Sequence, residues 1–85
     1  MPSREVAMTK RSVFHSVPTN TGWRVLEGGR MVSAHHTQKQ SEAAAIAAGH
    51  EAQDAGGLGQ AVLHKSDGTI REERTYGADP RRTKG

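Results

Sequence analysis

The chain contains no cysteine. Disulfide staples, thiolate metal sites and thiolate nucleophiles are therefore excluded. Aromatic side chains are nearly missing as well, with one Trp, one Tyr and one Phe in 85 residues. No apolar run approaches the roughly 18 residues that a bilayer span requires, and the opening stretch MPSREVAMTKR lacks the apolar centre of a signal peptide. The expectation is a soluble, cytoplasmic protein without membrane contact. A single domain of this length buries only roughly 60–65% of its unfolded surface. Its few large apolar residues suffice for one thin sheet–helix core, but not for that core plus a deep, desolvated catalytic cleft. A homodimer sharing apolar surface would ease the shortage.

Charge is unevenly placed. The formal net charge is +3. Residues 1–11 hold Arg4, Lys10 and Arg11 against Glu5, and residues 78–85 hold Arg81, Arg82 and Lys84 against Asp79, a net of +2 at each end. The body, residues 12–77, has six basic and seven acidic side chains, a net of −1. This predicts a flexible N-terminal arm over 1–11, one domain over 12–77 and a basic C-terminal tail over 78–85. A folded nucleic-acid groove would place more Lys and Arg on the body itself, whereas basic tails add loose, salt-sensitive attraction to polyanions.

Within the body, Ser12–Pro18 alternates β-branched, aromatic and polar residues and predicts a strand. Thr19-Asn20-Thr21-Gly22 reads as a turn. Trp23–Glu27 is the returning strand of a hairpin, with Trp23 as the largest core residue by burial tendency. Gly28-Gly29 makes the next turn, and Arg30 to about Gln38 is a weaker third strand at an edge. Ser41–Ala55 is an alanine-rich helix. Ser41 is one candidate N-cap; Thr37 with Gln40 fits a capping box and would start the helix a turn earlier. Gly56-Gly57 stops it, and the run to Gly59 reads as stop and linker. Ala45, Ala48, Ala52 and Ala55 with Gly49 form a small-residue stripe that lets the helix sit close to a sheet. Gln60–Gly77 is a second hairpin around the Asp67-Gly68 turn. Its core contributors are Val62, Leu63, Ile70 and Tyr76, and its middle, Arg71-Glu72-Glu73-Arg74, is solvated. The expected fold is α+β, an antiparallel sheet in the order β-β-β-α-β-β with one helix packed on one face.

Little catalytic chemistry is legible. His15 and His64 lie on predicted strands, within reach of each other across the sheet. His35 and His36 are adjacent and point to opposite faces of a strand, and His50 stands alone on the helix. Closed zinc sites usually need four ligands, so no metal site and no cofactor are assigned. No Gly-x-Ser-x-Gly elbow occurs, and Glu72 and Glu73 face opposite ways, so no catalytic residue is assigned and the chain reads as a non-enzyme. The side chains that would serve a nucleic-acid or partner surface are Trp23, Arg24, Arg30, Arg71 and Arg74, with Arg81, Arg82 and Lys84 in the tail.

Four pieces, read in order, carry a family resemblance: HSVP (15–18) followed by Gly22-Trp23-Arg24-Val25; Ala45-Ile46-Ala47-Ala48-Gly49; Val62-Leu63-His64 leading to Asp67-Gly68-Thr69-Ile70-Arg71; and Tyr76-Gly77-Ala78-Asp79-Pro80 with Lys84-Gly85. From about His15 to Gly85 the chain resembles the small bacterial proteins grouped as domain of unknown function 2188. The resemblance implies the same compact α+β module and no activity. Two readings of function stay open: a non-catalytic interaction module for a protein partner or for self-association through an exposed strand edge, and a weak nucleic-acid binder using the sheet face and the basic tails.

Overall fold

The computed structural model describes residues 11–77. The expected arm and basic tail lie outside the described residues, except Arg11, which opens the first strand. The elements along the chain are β1 (Arg11–Thr19), β2 (Gly22–Glu27), β3 (Arg30–His35), α1 (Gln38–Asp54), β4 (Leu58–His64) and β5 (Ile70–Tyr76). They form one five-stranded sheet in the spatial order β3-β2-β1-β4-β5, which differs from the order along the chain. β1–β2, β2–β3 and β4–β5 are antiparallel, but β1 and β4 are parallel, with Phe14 opposite Ala61 and Ser16 opposite Leu63.

The sheet is therefore mixed, which corrects the expectation of a purely antiparallel one. The reason is directional. β3 runs the same way as β1, and α1 carries the chain back to the end where both began. β4 must then start alongside β1 and run with it. Parallel neighbours need such a crossover, usually a helix.

The helix starts at the earlier of the two expected positions. Thr37 is the N-cap, its Oγ1 accepting the Gln40 N–H at 3.1 Å. Gln40 Oε1 accepts the His36 N–H at 3.3 Å. Ser41 is not the cap. It is fully buried one turn in, accepts from Ser16 Oγ at 2.8 Å and donates to the Arg24 carbonyl at 3.3 Å. This buried polar chain leaves neither hydroxyl unpaired and ties the helix to β1 and β2. At the other end the Gly56 N–H donates to Gln53 and the Gly57 N–H to Ala52, at 2.9 and 3.0 Å. This is a Schellman termination, with Gly56 at φ 93°. β4 begins directly afterwards at Leu58, so Leu58 and Gly59 are strand rather than linker.

The core is a single layer between α1 and the sheet: Phe14, Val25, Ala45, Ala61 and Leu63, flanked by Ala44, Ile46, Ala48, Ala52 and Tyr76. Three expected core members fall outside it: Val62, which is 4% exposed but turned to the face away from the helix, Ile70 and Trp23. Ile70 is 50% exposed, because a bulge between Leu63 and His64 sets it opposite His64 on the face away from the helix. Trp23 is half-buried and lies outside the core cluster. It is the second residue of β2, opposite Pro18 and His35, at the end of the sheet where the helix only begins.

The closest approach is backbone to backbone. A Cβ added at Gly59 would come within 2.7 Å of the Gly49 carbonyl carbon and 2.8 Å of its Cα, and one at Gly49 would meet the Tyr76 ring at 2.9 Å. Neither helix nor strand has room for a methyl group between them. Gly59→Ala should therefore destabilise the fold by about 1–3 kcal/mol, the usual range for overpacking. Urea unfolding measures it; an unchanged midpoint would show that the helix does not sit this close.

Candidate functional site

Side chains alternate between the two faces of a strand, so the register sorts the sheet. Phe14, Ser16, Val25, Ala61 and Leu63 turn toward α1. Turned the other way are Val13, His15 and Val17 of β1, Arg24 and Leu26 of β2, Met31 and Ala34 of β3, Gln60, Val62 and His64 of β4, and Ile70, Glu73 and Thr75 of β5. No described residue covers this second face. Its apolar side chains are exposed at both margins, Met31 at 58% and Ile70 at 50%, while Val62 near its centre is 4% exposed, buried among its neighbours on the face. Val32, at the bulge in β3, is exposed beside Met31.

Near the centre of this face His15 Nδ1 lies 3.0 Å from His64 Nε2. The rings are tilted by 42° with centroids 5.3 Å apart. That separation is little more than the nitrogen–nitrogen distance plus the two ring radii, so the nitrogens point at one another, as in a hydrogen bond. His64 Nδ1 lies 2.9 Å from the Gly68 carbonyl oxygen. Burial, then the neighbouring His64, push the His15 imidazole below its ordinary value, against a smaller opposing pull from Glu73. The β4–β5 turn is itself ordered by Asp67 Oδ1, which accepts from the Thr69 N–H at 2.9 Å and the Thr69 hydroxyl at 2.6 Å. These bonds to Thr69 hold the Asp67 carboxyl below the usual carboxylate range. Among the described residues no three His, Asp or Glu side chains cluster in a way that could hold a metal ion.

Of the side chains assigned from sequence to a nucleic-acid or partner surface, those among the described residues do not gather in one place. Arg71 donates to Glu42 on the helix at 2.6 Å and approaches Glu72 at 3.6 Å, and Arg74 donates to Glu72 at 2.6 Å. The Arg74 hydrogen bond holds the Glu72 carboxyl below its ordinary value, and Glu72 in turn raises the Arg74 guanidinium. Both β5 arginines are thus engaged within the molecule. Arg24 and Arg30 are exposed, with no carboxylate partner among the described residues. Arg24 lines an open groove of about 500 Å³ together with Trp23, Thr19, Thr21, Met31, Ala34, His35 and His36. Arg30 sits at the opposite end of β3, opposite Glu27. Arg81, Arg82 and Lys84 lie outside the described residues.

Sequence reasoning placed His15 and His64 within reach of each other, and they meet. It did not find the third member, the Gly68 carbonyl. The available signal was His64 standing four residues before the glycine of an Asp-Gly turn.

The Arg71–Glu42 pair gives a direct check on how firmly β5 is tied to the helix. Its side chains are 40% and 17% exposed, so a double-mutant cycle with Arg71→Ala and Glu42→Gln should return a coupling of about 0.2–1 kcal/mol. Zero coupling would leave Arg71 available for an outside partner.

No curated protein matches the chain, and no solved structure matches it. A family model does match, over residues 14–76, that of an uncharacterized protein conserved in bacteria. That span takes in the helix and all five strands except the first three residues of β1, and the chain accordingly belongs to this bacterial family, DUF2188.

Proposed function

We propose that the protein is a small, non-catalytic interaction module, cytoplasmic in location, whose docking surface is the sheet face opposite α1 together with the β3 edge. One observation carries the reading. The helix packs on a single face of a five-stranded sheet, and the other face has exposed Met31 and Ile70 at its margins, with half-buried Val13, Val17 and Leu26 and buried Val62 between them. A sheet face of this kind gains free energy when another surface removes it from water. The two sheet edges differ as well. β5 carries Arg71, Glu72, Glu73 and Arg74, charges that discourage strand addition, whereas β3 between Arg30 and His35 has only Met31, Val32, Ser33 and Ala34. The partner is then another protein chain or a second copy of this one.

Nucleic-acid binding is the alternative. Exposed Arg24 and Arg30, without a carboxylate partner among the described residues, and the net +2 at each chain end favour it. Under that reading affinity for generic DNA or RNA falls steeply with salt, and Arg24→Ala and Arg30→Ala each lower the salt slope by about 1.

The two readings separate in one set of measurements. If the face docks a protein, Met31→Lys with Ile70→Lys abolishes co-purification of the partner, or dimer formation in a sedimentation concentration series, while thermal unfolding stays near that of the parent. Unchanged association in this variant would contradict the face as the docking surface.

A further inference from the structure

The His15–His64–Gly68 arrangement has a definite proton order. A carbonyl oxygen only accepts, so the ring nitrogen 2.9 Å from Gly68 O, His64 Nδ1, carries a proton. A neutral His64 then presents a lone pair at Nε2, and the proton in the 3.0 Å contact belongs to His15 Nδ1. The chain runs His15 Nδ1–H to His64 Nε2, then His64 Nδ1–H to the Gly68 carbonyl. It joins the middle of β1, the end of β4 and the β4–β5 turn.

We propose that this chain is a proton-sensitive latch, which ties the β1–β4 seam to the β4–β5 turn while the histidine pair holds at most one extra proton and opens when it holds two. The first extra proton adds to His15 Nε2, the one ring nitrogen outside the chain, and breaks no bond. The second must add to His64 Nε2. That sets N–H against N–H and two cations in contact, so the His15–His64 bond is lost. The surrounding charges leave this limit in place. Glu73 of β5 is the carboxylate on this face; Arg11 of β1, Arg24 of β2 and Lys65 after β4 are positive; β3 contributes only apolar side chains here, and α1 lies behind the sheet. The depressed His15 has the matching sign. The unfolded chain binds more protons than the folded one as pH falls through the ordinary histidine value of 6.5, so stability present above that value declines below it. The latch goes beyond the docking reading and does not depend on it.

Long-range proton–nitrogen correlation spectra of the full chain, followed from alkaline to acidic pH, test the latch. Expected are Nδ1–H tautomers for both His15 and His64, two separated titration steps shared by the pair, and loss of the His15–His64 scalar coupling across the hydrogen bond with the second. In His64→Gln, His15 should titrate once and closer to its ordinary value. Nε2–H tautomers, or two independent titrations with no coupling between the rings at alkaline pH, would overturn the proposal. The parent spectra decide by themselves if the variant does not fold.

Discussion

The meeting of Gly49 and Gly59 is the constraint on which the rest of the structure depends. Apart from Ile46 at the flank, the helix carries small side chains toward the sheet, so Ala45 joins the core of Phe14, Val25 and Leu63 only by lying close. Close approach requires a position on each element with no side chain, and these two glycines supply it. The same fit brings Tyr76 against the Gly49 turn of the helix, where its ring lies 4.0 Å from that of His50. A larger apolar helix face would have packed at a greater distance and needed no glycine. The chain is poor in large apolar residues and makes its core from proximity instead, since dispersion contacts fall off steeply with a gap.

A core of this kind has one side. Helix α1 covers one face of the sheet, and no described residue covers the other. The two faces then differ in chemistry. Behind the helix, the buried hydroxyls of Ser16 and Ser41 are paired in a chain that ends on the Arg24 carbonyl. On the open face apolar side chains alternate with His15, His64, Arg24 and Glu73, which suits a surface that meets water at some times and a partner at others. The interaction reading follows from this asymmetry and does not draw on any enzyme-like cleft.

Much of this was legible in the sequence, for identifiable reasons. Alternation located the strands, alanine content located the helix, and the Gly-rich stop and Asp-Gly turn placed two of the chain reversals. The small-residue stripe announced a close helix. The misreadings came where local pattern competes with tertiary geometry. Ser41 resembled an N-cap, but Thr37 captured the helix start, because its hydroxyl reaches the Gln40 amide and frees Ser41 for the interior. Ile70 resembled a core residue until a bulge beside it turned it outward. Gly59 resembled a linker glycine, since nothing local marks a glycine required by a partner ten residues earlier. The parallel pairing of β1 with β4 is not written in either strand; it follows from counting direction changes across the helix. Of the candidate site, the two histidines were visible as strand residues, whereas the role of the Gly68 carbonyl depends on turn geometry that no side-chain pattern encodes.

The central claim is that one sheet face is packed and the other is open. Solvent paramagnetic relaxation of methyl groups in the monomeric protein tests it most directly. The account predicts strong broadening at Val17, Leu26 and Ile70 by a soluble probe, and little at Val25 and Leu63. Equal protection of Leu26 and Leu63 in the monomer would contradict it.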